Sequence, residues 1–173
     1  LEALIQKKFG RTSGWIGYTL SWSNRQFDDL NSGEWFPFTY DRRHDASLVV
    51  THQINEAWSG SLAWVYGTGR AVTLTESLFN GLSFGNYPSA PVWEVPSERN
   101  DYRMSSYHRL VVSFTRVKPG SDGNRALIFS AYNAYNNLNP FFALADQEAD
   151  GSRLIREYGL FPIIPSIAWR FHF

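Results

Sequence analysis

Cysteine is absent from the 173 residues, which excludes disulfide frameworks, thiolate zinc sites and cysteine nucleophiles together. Its absence permits export without assigning a redox compartment. An excess of one charge is also missing: sixteen basic and sixteen acidic residues cancel, so no nucleic acid or other polyanion is implied as a partner. Long hydrophobic runs are lacking too. Apolar residues make 43% of the chain, yet its mean hydropathy is -0.32, so they are dispersed among polar groups and helical membrane spans are disfavoured. The long uncharged stretch from Ala126 to Ala145 carries Asn133, Asn136, Asn137, Asn139 and Pro140, which rejects a lipid-spanning helix there. Methionine occurs once, at Met104, and Leu1 is not followed by a charged segment and an apolar core. The expectation is a fragment or processed piece, its targeting segment removed or never included.

What the chain has in quantity is aromatic side chains, 17% of the total, set in a period-two alternation that predicts strands. One parity reads Ile16, Tyr18, Leu20, Trp22 against Trp15, Gly17, Thr19, Ser21, Ser23. Ala46, Leu48, Val50, His52 and Ile54 oppose Ser47, Val49, Thr51 and Gln53, and Trp58, Gly60, Leu62, Trp64 and Tyr66 oppose Ser59, Ser61, Ala63 and Val65. His108, Leu110, Val112 and Phe114 oppose Arg109, Val111, Ser113 and Thr115, and Ile167, Trp169, Phe171 and Phe173 oppose Ser166, Ala168, Arg170 and His172. In each strand one face is greasy and the other small or polar.

Short turns are expected near Gly10 to Ser13, Asn55 to Ala57 and Lys118 to Asn124, and longer loops near Asn24 to Tyr40, Gly69 to Asp101 and Asp146 to Ser152. The implied strands are 1–9, 14–24, 41–54, 58–68, 102–116, 125–145 and 153–173. Short turns at one end and long loops at the other describe an all-β, antiparallel transmembrane β-barrel segment of about seven strands. The last two strands exceed the ~9 to 11 residues that cross a bilayer, so their hairpin should project beyond it. Single-chain bacterial barrels have an even strand count, so an odd set implies partner strands upstream. No internal repeat or low-complexity linker divides the chain, which reads as one contiguous part of one larger domain.

Several stretches resemble the end of TonB-dependent outer-membrane receptors, in order and at similar spacing: Trp35 to Val49 (WFPFTYDRRHDASLV), Trp64 to Leu74 (WVYGTGRAVTL), Tyr102 to Leu110 (YRMSSYHRL), Ala131 to Phe142 (AYNAYNNLNPFF) and Leu160 to Phe173 (LFPIIPSIAWRFHF). The resemblance covers essentially all 173 residues and is to the last third of a 22-stranded barrel. It implies residence in the outer membrane of a Gram-negative bacterium and energised uptake of a large nutrient such as a metal chelate, an oligosaccharide or a peptide. It also implies partners: the remaining strands and plug of the same receptor, the TonB energy-coupling complex through that plug, the barrel-assembly machinery, the lipid bilayer and, in some receptors, a surface lipoprotein lid. The terminal strand with Trp169, Phe171 and Phe173 is similar to the one that the assembly machinery reads. The plug and the energy-coupling box are outside this sequence, so the implied transport belongs to the parent protein.

The charged cluster Asp41, Arg42, Arg43, His44, Asp45 suggests acid-base work or metal capture, but adjacent strand residues point to opposite faces, and a polar rim accounts for all five. His52, His108 and His172 fall in separate strands with no HxxxH or HxH spacing, so no metal is expected, and no cofactor. Gly67 to Gly69 reads as a turn into a loop, too short for a phosphate cradle. Serines 47, 59, 61 and 113 fit small interior positions, and no catalytic trio converges, so the chain is not expected to be an enzyme. Trp22, Trp58, Trp64, Tyr66, Trp169, Phe171 and Phe173 lie on the apolar parity and suit interfacial girdles and lipid contact. Trp35, Phe36, Phe38, Tyr40, Phe79, Phe84, Tyr87 and Trp93 fall in the long loops, where aromatic planes can stack on sugar rings or apolar ligands. The competing classes are an outer-membrane barrel enzyme, which needs a convergent site at the rim, and a soluble all-β carbohydrate-binding module, which needs no terminal aromatic strand.

Overall fold

A computed structural model of the chain describes residues 1–80, 92–118, 125–147 and 153–171. Strand makes 63% and helix 2%, so the chain is all-β. In chain order the strands are β1 (Glu2–Lys7), β2 (Thr12–Leu20), β3 (Asn24–Arg25), β4 (Phe36–Pro37), β5 (His44–Gln53), β6 (Trp58–Gly67), β7 (Ala71–Val72) and β8 (Thr75–Asn80). They continue with β9 (Val92–Pro96), β10 (Tyr102–Arg103), β11 (Tyr107–Val117), β12 (Arg125–Tyr132), β13 (Pro140–Gln147), β14 (Arg153–Gly159) and β15 (Ile164–Phe171). Seven form one antiparallel meander in the order β1-β2-β5-β6-β11-β12-β15, and the sheet is open, with β1 and β15 at its edges. The other eight pair as four small ladders, β3 with β4, β7 with β10, β8 with β9 and β13 with β14, all within the long connections.

The connections have the expected asymmetry. At one end β1 turns into β2 through Gly10, whose φ of 89° lies in the left-handed region that glycine enters without steric cost. At the same end β5 turns into β6 around Asn55, whose Oδ1 accepts from the N–H groups of Ala57 and Trp58, both at 2.9 Å. The long connections, carrying the small ladders, leave from the opposite end.

The register joins the separately read parities into one surface. Ile16 pairs with Leu48, Leu48 with Trp64 and Trp64 with Leu110; one row on, Gly14 pairs with Val50, Val50 with Leu62, Leu62 with Val112 and Val112 with Ala131. Phe114 pairs with Phe129, which pairs with Ile167. Directly paired residues project from the same face, so the apolar sets of all seven strands lie on one side. The small and polar sets, including Ser47, Ala63, Ser61, Ser113, Ser130 and Ser166, lie on the other.

No second layer covers either face among the described residues: the substantial contacts between elements are almost all between ladder partners. Buried apolar side chains there are few, namely Phe36, Ala71, Leu74, Met104 and Ala126. The accessible surface is 12634 Å², where a compact chain of 19.8 kDa exposes roughly 8,600 Å². An ordinary domain buries such a face against another element; here Ile167, Trp169 and Phe114 stay 72%, 68% and 49% exposed.

Three of the expected long strands are interrupted. The expected strand 102–116 becomes β10 and β11, with β10 turned aside to pair with β7. The expected 125–145 becomes β12 and β13, and 153–173 becomes β14 and β15, so β13 and β14 form their own ladder beyond the sheet. The breaks have local causes. Asn133 and Asn136 take φ of 53° and 56°, and Phe161, before Pro162, takes 62°, all incompatible with a continuous strand. Asn133 is fully buried: its Nδ2 donates to the carbonyls of Asn137 and Phe161 at 2.8 and 2.9 Å, and its Oδ1 accepts from Asn137 N–H at 3.1 Å. Replacing it leaves those groups unpaired, so Asn133→Ala should cost about 2 to 4 kcal/mol. Asn133→Gly removes the backbone strain and retains most of that loss; chemical denaturation of the protein in its native assembly checks both, and a change below about 0.5 kcal/mol in both would reject the role.

Candidate functional site at the loop end of the sheet

The three long connections meet above the sheet through polar bonds. The first, residues 21–43, folds back as β3 and β4 and is closed by Phe38 N–H to the Ser23 carbonyl at 2.9 Å and Ser23 N–H to Asp41 Oδ1 at 2.7 Å. Asp41 is 2% exposed and receives Arg103 of the second connection, Nη2 to Oδ2 at 2.7 Å, while Arg103 Nη1 donates to the carbonyls of Asp41 and Gly69, both at 2.9 Å. Asn100 ties the same two connections, its Nδ2 donating to the Pro37 carbonyl at 2.8 Å. The polar rim expected from Asp41 to Asp45 is thus in part a buried ion pair, with Arg42 and Asp45 3.5 Å apart beside it.

The second and third connections are clasped by Glu157 on β14, whose Oε1 accepts from Tyr102 O–H at 3.0 Å and Ser105 N–H at 2.8 Å. Arg70 Nη2 adds a bond to the Phe141 carbonyl at 2.6 Å. Gly69 belongs to the same seam, since a side chain there would collide with the Met104 carbonyl. The turn read at Gly67 to Gly69 therefore leads out of β6 into this seam.

The aromatic residues proposed from sequence as a ligand platform have different fates. Trp35 and Tyr40 are 65% and 69% exposed and present open rings. Phe38 meets Tyr40 edge to face at 5.3 Å and carries the Arg25 guanidinium 3.6 Å above its ring centre. Phe36 is 4% exposed, packed near Phe27 and under Arg99, so its ring fills the interior of the first connection and offers no open plane. Trp93 lies in β9 opposite Phe79, and both side chains are outside the described set, as are residues Phe84, Tyr87 and Phe173. Trp169 and Phe171 sit on the apolar face of β15, their rings 5.5 Å apart.

A second cluster, on the small-residue face below the connections, joins Arg42 of the charged rim to Tyr107, Arg109 and Tyr132, which sequence reasoning did not single out. Arg42 lies across Gly67, where a β-carbon would come within 2.7 Å of its Nη1, and reaches the Tyr107 ring at 5.8 Å. Arg109 on β11 lies 4.4 Å from the Tyr132 ring centre and donates from Nη1 to Tyr132 Oη at 2.6 Å. Its Nε–H is buried without an acceptor. The signal available in sequence was an arginine on the small parity of a strand, but its aromatic neighbours come from other strands.

Among the described residues no group of three or more His, Asp and Glu is placed to hold a metal ion. No protein-family model matches the chain, and no curated protein or solved structure does either.

Loss of water and the Glu157 carboxylate together push the Tyr102 hydroxyl above its ordinary 10.0, burial contributing most. The folded state therefore holds this proton more tightly than the unfolded one, and the stabilisation is complete below pH 10.0 and is lost as pH rises through the raised value. The clasp should open in alkali as tyrosinate meets carboxylate. Hydrogen exchange of the Ser105 amide should quicken beyond its intrinsic base dependence above about pH 10; Tyr102→Phe should show fast exchange at every pH without that extra step, and an unchanged profile would reject the clasp.

Proposed function

We propose that the chain is part of the wall of an outer-membrane β-barrel, the carboxyl-terminal part of a TonB-dependent transporter that binds and imports a large nutrient. The observation that carries the reading is the single apolar face running across seven strands, over which the described residues place no protein layer. A lipid bilayer is the partner whose chemistry suits a face of that extent.

The arrangement along the strands supports the same reading. Near the turn end, Trp58 pairs with Arg116, Arg116 with Leu127 and Leu127 with Trp169. Towards the loop end, Tyr18 pairs with Ala46, Ala46 with Tyr66 and Tyr66 with His108. Between these two aromatic levels the apolar faces of β2, β5, β6, β11, β12 and β15 carry no charged side chain; on the edge strand β1, Lys7 stands opposite Gly14. The eight steps from Trp58 to Tyr66 span about 27 Å along the strand, or about 21 Å across a bilayer at a tilt near 40°, close to the ~25 Å apolar band of outer-membrane barrels. Arg116, 5.7 Å from the Trp58 ring, fits an interfacial level where a guanidinium reaches headgroups.

In this reading further strands complete the sheet at β1 and β15, satisfying edge groups that hydrocarbon would leave without partners. A plug occupies the interior, the TonB complex acts through it, and the loop end faces outward with Trp35 and Tyr40 open to a ligand or lid. The small-residue face leaves room for water or plug.

Three measurements on the protein in its native assembly test this. Because the chain has no cysteine, single-cysteine variants report faces directly: Ser113→Cys should react with a membrane-impermeant maleimide, while Leu62→Cys and Val112→Cys should resist it and be quenched by brominated lipid when fluorescently tagged. Leu62→Arg should lower the folded fraction in vesicles by about 2 to 4 kcal/mol and Ala63→Arg by less, with Val112→Arg and Val111→Arg in the same order. The opposite order in both pairs would turn the wall inside out. Deleting Phe173 should reduce the amount in the membrane far more than ligand affinity; equal membrane levels would remove the assembly role of the last strand.

A further inference from the structure

Arg109 on the small-residue face is a half-buried cation with no carboxylate beside it among the described residues. Of the two guanidiniums flanking Tyr107, Arg42 is paired with Asp45 at 3.5 Å. Arg109 has no carboxylate partner among the described residues: its one hydrogen bond is to the neutral hydroxyl of Tyr132, and its half-buried guanidinium keeps an Nε–H with no acceptor. Removing a guanidinium from water without an anion costs free energy, and packing it on the Tyr132 ring at 4.4 Å recovers only part of that. Such groups persist where an anion completes them.

We propose that Arg109, with Arg42, Tyr107 and Tyr132 around it, is a binding site for a carboxylate-bearing ligand. The charges select the class. Two guanidiniums and the Asp45 carboxylate sum to one positive charge, which a single carboxylate neutralises and a phosphate dianion reverses. The geometry agrees. The planar fork of arginine matches the two oxygens of a carboxylate, and the Tyr132 ring, with Phe161 edge-on at 6.5 Å, gives an apolar wall for the carbon skeleton attached to it. Arg42 cannot take Arg109's place, because Gly67 lets it lie flat against the sheet towards Asp45.

The cluster lies at the loop end of the face read above as the water-facing interior, and the inference rests on that reading. A ligand entering past the connections would meet it before the middle of the wall, so the site assigns an acidic, partly apolar cargo or cargo headgroup.

The test is calorimetric titration of the protein in its native assembly with sodium benzoate, using neutral benzamide and sodium phosphate as controls. Benzoate should bind and the controls should not. Arg109→Gln should weaken benzoate at least tenfold and Arg109→Lys less, while Ser113→Gln, on the same face away from the cluster, should leave it unchanged. Absence of benzoate binding in the parent protein, including through a resident acidic side chain already seated on Arg109, would overturn the proposal, as would equal affinity in Arg109→Gln. The maleimide reaction of Ser113→Cys separates the two failures: a reactive cysteine without benzoate binding rejects the site alone, and an unreactive one rejects the water-facing assignment beneath it.

Discussion

Strand register is the constraint on which the rest of this structure depends. With a side-chain period of two, a slip of one residue between neighbours would turn the whole apolar set of the slipped strand to the opposite face. The seven strands avoid this through local devices at their turn end as well as through the ladders themselves. Asn55 fixes where β6 begins by capturing two amides, and Gly10 supplies a backbone angle that few other residues take. Gly14 sits where the β2 backbone approaches β5 so closely that a β-carbon would strike the Val49 carbonyl. Once those three positions are set, Ile16, Leu48 and Trp64 fall into one row, and the β6–β11 ladder carries that row on to Leu110.

The loop end is held by a different force. The buried polar residues among those described, Asp41, Asn100, Asn133 and Asn139, all lie in the long connections, and the bonds they make bridge one connection to another or one strand end to the next. Buried apolar groups there are scattered, so directional bonds shape this region more than packing. A buried carboxylate or amide is favourable only when each of its bonds is made, which defines the geometry of the connections more sharply than apolar contact alone. Open aromatic rings such as Trp35 and Tyr40 are thereby carried on a framed support.

Much of the sheet was legible in sequence because alternation reports which face a residue occupies, and all seven strand positions follow from it. The alternation also continues across breaks, which is why 125–145 and 153–173 read as unbroken strands. The interruption at Asn133 depends on a left-handed backbone and on the Phe161 carbonyl, 28 residues away, so the run of asparagines signals a turn without locating its partner. The aromatic loop residues show a similar limit. Composition cannot tell Phe36, enclosed by its own connection, from Trp35, which points out, because burial there is decided by Phe27 and Arg99. Arg109 was visible only as one polar residue of a strand, since its significance comes from Tyr132 on β12 and from the lack of a carboxylate beside it among the described residues.

The histidines of the sheet show how the two ends of the apolar face are finished. His44 and His108 stand at its loop-end border and His52 at its turn-end border, all on the apolar parity, where an unpaired imidazole would be poorly placed next to hydrocarbon. Each has a hydroxyl within hydrogen-bond distance of Nδ1: Tyr18 for His44 at 2.7 Å, Tyr135 for His108 at 2.9 Å and Thr12 for His52 at 2.7 Å. Each imidazole thus meets a hydroxyl at the border, and the aromatic bodies of Tyr18 and Tyr135 stay compatible with an interface. Formal charge on this parity lies towards the turn end, at Arg116 and Arg125 and, on the edge strand β1, at Lys7 opposite Gly14. Across β2, β5, β6, β11, β12 and β15 the face therefore grades from an apolar centre to hydrogen-bonded polar groups and aromatic rings, and at the turn end to Arg116 and Arg125, which is the order of environments that a strand meets on passing from hydrocarbon through the interface into water.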